Sequence, residues 1–158
     1  MDQANLETLR KQLVSALDGG ESHATFEDAV KDFKPDMYGA KPAGVPHSAW
    51  ELVDHMRIAQ RDILDFSRNP EHKSPEFPKG YWPKTAAPPN NEAWENSVKA
   101  LLQDRRELAA LLEKEDLFAA FAHGDGQTLL REALVAANHN SYHLGQLIFL
   151  KRILLEKA

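Results

Sequence analysis

Apolar residues recur at helical spacing in four long stretches of the 158-residue chain. In residues 5–17, Leu6, Leu9, Leu13, Val14 and Leu17 form one stripe, and Gly19-Gly20 ends it as glycine ends many helices. A short helix is predicted over residues 26–33, with Thr25 as its cap and Pro35 shortly after it. Residues 36–47 carry Gly39, Pro42, Gly44 and Pro46 and read as loop. Ser48-Ala49-Trp50-Glu51 then has the capping-box pattern, which starts a second long helix at Ala49. That helix runs to about residue 67, with Leu52, Met56, Ala59, Ile63 and Phe66 facing inward. Residues 69–90 hold Pro70, Pro75, Pro78, Pro83, Pro88 and Pro89 around the aromatic knot Gly80-Tyr81-Trp82-Pro83, so they form a connection and not a helix. A third long helix is predicted over residues 92–114 on the stripe Trp94, Val98, Leu101, Leu102, Leu108 and Leu112. After the breaker His123-Gly124-Asp125-Gly126, a fourth runs from about residue 128 to the C-terminus. No segment has strand periodicity, and the chain carries no internal repeat.

Four long amphipathic helices in a chain of this length predict an all-α fold, a four-helix bundle formed as one domain by residues 1–158. A helix of about 20 residues is ~30 Å long, whereas a linker of about 20 residues reaches ~65 Å when extended. The long connection between the second and third long helices can therefore return to the starting end. The expected topology is up-down-down-up with one crossover. Nineteen Lys and Arg against twenty-four Asp and Glu give a net charge of -5, which argues against a nucleic-acid partner. The absence of cysteine rules out a disulfide framework, a thiolate metal site and a cysteine nucleophile within this sequence. The opening MDQANLETLRKQ is polar and acidic where a secretory leader would be basic then apolar, and no apolar run approaches a membrane span. The expectation is a soluble, cytoplasmic protein.

The fourth long helix carries the chemistry. Projected at 100° per residue, Leu129, Ala133, Ala136, Leu144, Leu147 and Leu154 gather on the core face, opposite Arg131, Asn138 and Arg152. Glu132, His139, His143 and Gln146 fall within the apolar sector. Polar groups there need partners, since an unpaired buried one costs roughly 1–3 kcal/mol. His139 and His143, four positions apart, lie on one helical face and can converge on a metal ion. The same spacing also arises from plain packing, and two histidines make a weak site. His55, at the margin of the second long helix's inner stripe, supplies a third ligand. Three neutral nitrogens with an open position fit a catalytic ion better than a structural one, which four protein ligands would close.

Around this set, Glu132 and Gln146 are candidates to hold the imidazoles or touch substrate; the alternative is solvation at a bundle end. Asp62 is a candidate to orient His55 or act as a base, or else an ordinary half-exposed helix residue. Trp82, with Tyr81, is a candidate to cover a pocket mouth or to anchor the loop, and His23 to line a pocket or sit at the surface. His47 is expected to pack at the helix entrance, His72 and His123 to be exposed, and Tyr142 to point away from the histidine face. No Glu-x-x-His pair, H-E-x-x-H, phosphate-binding loop or G-x-S-x-G occurs.

Ala137-Asn138-His139-Asn140-Ser141-Tyr142-His143-Leu144-Gly145-Gln146 resembles the last-helix signature of the DinB/YfiT-like superfamily of metalloenzymes. Residues 46–55, Pro-His-Ser-Ala-Trp-Glu-Leu-Val-Asp-His, resemble its second-helix motif, and Gly80-Tyr81-Trp82-Pro83 a frequent feature of its crossover. The resemblance spans nearly the whole chain, including Gly19-Gly20-Glu21-Ser22-His23. It implies an up-down-down-up bundle, usually dimeric, with His55, His139 and His143 as ligands to a divalent metal, zinc or nickel. It further implies a small-molecule substrate and, most often, a thiol-dependent S-transferase or isomerase using bacillithiol, mycothiol or glutathione in detoxification or stress response. Other members are described as metal-dependent hydrolases. With no cysteine in the chain, a thiol must arrive as a low-molecular-weight cosubstrate. The alternatives are hydrolysis by metal-bound hydroxide and a non-catalytic bundle that binds metal or a small ligand. A second apolar strip, Leu130, Leu134, Ala137, Ile148 and Leu155, makes a homodimer the expected assembly.

Overall fold

The computed structural model describes residues 2–156, and it is helical. The elements are α1 (Gln3–Asp18), α2 (Phe26–Val30), α3 (Ala49–Arg68), α4 (Asn91–Lys114) and α5 (Leu129–Glu156), with 3-10 turns at Pro35–Met37 and Lys79–Tyr81. The last two positions of the predicted fourth long helix lie outside the described residues. The short helix α2 ends at Val30 rather than at residue 33, because Lys31 leaves the helical region with a ψ of 142° and Asp32 follows with a positive φ of 69°. Among the described residues no helix is long and apolar enough to cross a membrane.

Side-chain caps fix the helix starts: α3 begins at Ala49 as the sequence predicts, while α1 begins at Gln3 and α4 at Asn91, slightly earlier than expected. Ser48 Oγ accepts from the Glu51 amide (3.1 Å) while the Ser48 amide donates to Glu51 Oε2 (2.7 Å), so two otherwise free N–H groups are satisfied at the start of α3. Asn90 caps α4 and Asp2 caps α1 through their side-chain oxygens. Such a cap stabilises a helix by about 1 kcal/mol.

α3 packs against α4 and α5, and α1 packs against the same two helices. Polar rungs mark the alignment. Between α3 and α4, Ser97 Oγ donates to Asp54 (2.7 Å), Arg61 pairs with Asp104 (2.9 Å) and Arg68 with Glu107 (2.6 Å). Between α3 and α5, Asn140 Nδ2 donates to Gln60 Oε1 (2.8 Å). Arg10 of α1 donates to the Leu112 carbonyl near the end of α4, and Arg105 of α4 meets Asp18 at the end of α1 (3.3 Å).

The apolar core is in two parts. One gathers Phe26, Met37, Trp50, Leu52, Val53, Met56, Trp94, Leu101, Leu144, Leu147 and Leu150. The other gathers Leu13, Leu17, Leu64, Leu108, Leu112, Leu117, Leu129, Ala133 and Ala136. Each fully buried leucine contributes roughly 1.5–3 kcal/mol. Between the two parts the helices present polar side chains: Gln60 on α3, Asp104 and Arg105 on α4, and His139, Asn140 and His143 on α5. The histidines belong to this layer, which is why they fall inside an apolar sector of the sequence.

Candidate metal centre

His55 of α3 and His139 and His143 of α5 come together, with one ring nitrogen from each lying within 4.8 Å of the others. His55 Nε2 is 3.0 Å from His139 Nε2 and 3.1 Å from His143 Nε2. The i,i+4 spacing puts the two α5 imidazoles one turn apart on one helical face, edge to face with centroids 4.5 Å apart, and the packing of α3 on α5 brings His55 to both.

The outer nitrogens decide what the inner ones can do. His55 Nδ1 donates to the Tyr81 carbonyl (2.7 Å), an acceptor only, so the proton of this ring sits on Nδ1 and Nε2 bears a lone pair. His143 Nδ1 donates to Gln146 Oε1 (3.1 Å), so its Nε2 is also a bare lone pair. Two lone pairs thus face each other at 3.1 Å in a buried setting. A proton does not relieve them. Burial first, and neighbouring imidazoles second, push His139 and His143 down to about 4, and burial lowers His55. The trio is therefore neutral near pH 7, the form in which imidazole binds metal. Ligands at about 2.0–2.1 Å around a tetrahedral ion lie about 3.3 Å apart, close to the separations seen between these nitrogens. The donor set fits a divalent ion.

The shifts have a consequence for the metal-free protein. A histidine with a folded value near 4 and an unfolded one near 6.5 binds fewer protons folded than unfolded across that window. Its contribution is intact above about pH 6.5 and is lost as pH falls toward 4. Chelator-treated protein is expected to lose urea resistance between about pH 6.5 and 5.5, above the main carboxylate range. The double variant His139→Gln/His143→Gln should flatten that slope. An unchanged slope would contradict the assigned burial.

The connection between α3 and α4 holds His55 from outside. Trp82 lies flat on its ring (centroids 3.9 Å, interplanar angle 0°), and His47 also stacks on Trp82 at 4.2 Å. Gly80 allows the chain to reach this position, because a Cβ there would come within 2.7 Å of the Pro75 side chain. Tyr81 is pinned at both ends: its carbonyl accepts from the His55 Nδ1–H and its hydroxyl donates to Asp62 (2.6 Å). His72 reaches the other oxygen of Asp62 (2.7 Å). Burial and the Asp62 carboxylate push the Tyr81 phenol up to about 12.

The remaining sequence candidates divide. Gln146 supports His143, as one of its two readings required. Trp82 both covers His55 and anchors the loop. Asp62 does not touch His55; it acts on the loop through Tyr81 and His72. Glu132 is buried but pairs with its neighbour Arg131 and not with a ligand imidazole. His23 bonds Ser141 Oγ (3.0 Å), away from the trio, and lines a small cavity and a groove between α1 and α5. His72 and His123, expected in solvent, are half-buried: His72 on Asp62 and His123 on the Phe66 carbonyl. Tyr142 is 64 % exposed, yet its ring stands edge-on 4.9 Å from that of His143, closer than its helical phase suggested. Sequence reasoning missed the Tyr81 carbonyl and the Gln60–Asn140 pair. Only the aromatic knot hinted at the first, and nothing local signals the second.

An all-helical frame with three imidazoles able to hold one ion defines the class. A family model, that of the DinB superfamily, matches residues 20–147, and the chain belongs to that superfamily. No curated protein and no solved structure matches the chain significantly.

Proposed function

We propose that this chain is a single-domain, metal-dependent enzyme of the DinB superfamily, acting as a thiol-dependent S-transferase on small electrophiles in the cytoplasm. The observation that carries the metal reading is the pair of lone-pair nitrogens, His55 Nε2 and His143 Nε2, turned toward each other at 3.1 Å with His139 Nε2 beside them. A divalent ion in such a three-histidine site, zinc or nickel, supplies Lewis acidity that favours deprotonation of a bound water or thiol. The rest is the work of the chain. The Tyr81 carbonyl and Gln146 hold two ligand rings in the metal-binding tautomer, and Trp82 shields one face of His55 from water. The missing cysteine means that a thiol nucleophile must come from a cosubstrate.

The proposed architecture is the up-down-down-up bundle with residues 69–90 as its crossover. In support, the α3–α4 rungs pair 54 with 97, 61 with 104 and 68 with 107, rising together as parallel helices do. The α1–α4 pairs, 10 with 112 and 18 with 105, run in opposite senses, as do the α3–α5 pairs 55 with 143 and 60 with 140.

The test combines elemental analysis of protein made without a histidine tag with a screen of electrophiles against each common cellular thiol. Thiol consumption that requires both metal and protein supports the transferase. Hydrolysis of an ester or amide panel with no thiol dependence would replace it with the hydrolase reading, and tight metal binding without turnover would leave a binding bundle.

A homodimer completes the proposal. The dimer strip expected from the sequence is only partly exposed: Leu134 (52 %) and Leu155 (47 %) face solvent, while Leu130, Ala137 and Ile148 pack inward. The outward patch is instead Leu134, Val135 and Tyr142, around Asn138. Leu134→Glu/Val135→Glu is expected to halve the mass measured by sedimentation at micromolar concentration. A wild-type protein that already sediments as a monomer would refute the dimer.

A further inference from the structure

Beside the metal centre, on the far side of the His143–Gln146 pair, lies a half-open cleft of about 160 Å³ between residues 44–47 and α5. Leu52 and Leu150, both 1 % exposed, form its floor, Val45 and Pro46 one wall, and the 65 %-exposed Phe149 its rim. Its polar groups are Gln146 and His47. Gln146 has its carbonyl committed to His143 Nδ1, and its amide NH2 has no acceptor among the described residues. His47 is stacked on Trp82, and neither of its ring nitrogens has a hydrogen-bond partner among the described residues. An apolar box with two unspent groups on one side is how small-ligand sites are built. A cavity of about 150 Å³ takes one benzene-sized molecule, so the cleft has room for a group of that size.

We infer that this cleft is a ligand subsite for a compact, benzene-sized apolar molecule carrying one acceptor group, a carboxylate or carbonyl, held by the Gln146 amide and the His47 ring. The inference rests on the proposed metal centre for its meaning, because Gln146 then joins the bound molecule to His143. The two can fail separately. The ligand's apolar part lies against Phe149, Leu52 and Val45, and its acceptor against the donors that face the metal side.

The probe is benzoate, titrated into the full-length, metal-loaded protein and followed by the side-chain amide resonances of Gln146 and the ring resonances of Phe149. Benzoate is expected to move both. Toluene, which lacks the acceptor, should bind at least about fivefold more weakly. Val45→Trp fills the cleft and should weaken benzoate at least about tenfold while metal content stays that of the parent. Gln146→Glu, read from the Phe149 ring resonances alone and at the metal content of the parent, places a carboxylate against the probe and should weaken benzoate but not toluene, a result that does not depend on Val45→Trp folding. Benzoate binding indifferent to both variants overturns the subsite. If binding is lost in His139→Ala but kept in Val45→Trp, the carboxylate ligates the metal instead; that overturns the subsite and leaves the metal reading standing. If His139→Ala contains as much metal as the parent, the metal reading fails, whatever benzoate does.

Discussion

His143→Ala is expected to bring bound metal from about one equivalent per chain down to the level of a metal-free control. His143 supplies one of three inner nitrogens, and its partner His55 is held in the metal-binding tautomer by a backbone carbonyl that the substitution leaves in place. Loss of an outer partner of a ligand costs about 10–100-fold in affinity, and loss of a ligand should exceed that. The measurement is metal content after dialysis against a weak chelator, with circular dichroism to show that the helices persist. His23→Ala is the matched control, since that ring bonds Ser141 and lies outside the trio. A His143→Ala protein that keeps its metal would mean the ion sits elsewhere.

The second large effect is remote. Asp62→Ala removes the acceptor of both the Tyr81 hydroxyl and His72, so the loop loses two of its anchors to α3 and keeps only those on His55 itself. The Tyr81 carbonyl is then free to drift from His55 Nδ1, and the ligand ring loses its fixed tautomer. Metal affinity is expected to fall about 10–100-fold, measured by competition with a chromophoric chelator. Asp62→Asn, which keeps an oxygen for the Tyr81 hydroxyl, should recover part of the loss. The Tyr81 phenol, held up to about 12 by burial and by Asp62, should titrate lower in Asp62→Ala. If the phenol moves but the metal affinity does not, Asp62 is a loop anchor without influence on the centre.

The helices were legible because their starts and stripes are local properties. Ser48 and Glu51 announce a cap within four residues, and α3 begins where they place it. The His139–His143 pair was legible for the same reason: helical spacing alone puts both rings on one face. His55 needed more, because its place opposite them depends on how α3 packs on α5; only the polarity of the core sector asked for a partner. The support of the site was the least visible part. A backbone carbonyl has no sequence signature, so Tyr81 read as an aromatic in a proline-rich loop while its main-chain oxygen holds the His55 ring. Asp62 lies in line with His55 along α3, which suggested a direct contact, but the returning loop takes both of its oxygens first. His72 and His123 misled in the same way: polar neighbours suggested solvent, and partners distant in sequence half-buried them.

The polar stratum at mid-height also works as a detent between α3 and α5. Leucine packed on leucine tolerates a slip of one helical turn, since the slipped rods still offer grease to grease. The Gln60 and Asn140 carboxamides do not, because a slip would set each against aliphatic side chains with its hydrogen bond unmade. The same slip would carry both α5 histidines past His55. Sliding the rods out of alignment and dismantling the three-histidine cluster are therefore one and the same displacement.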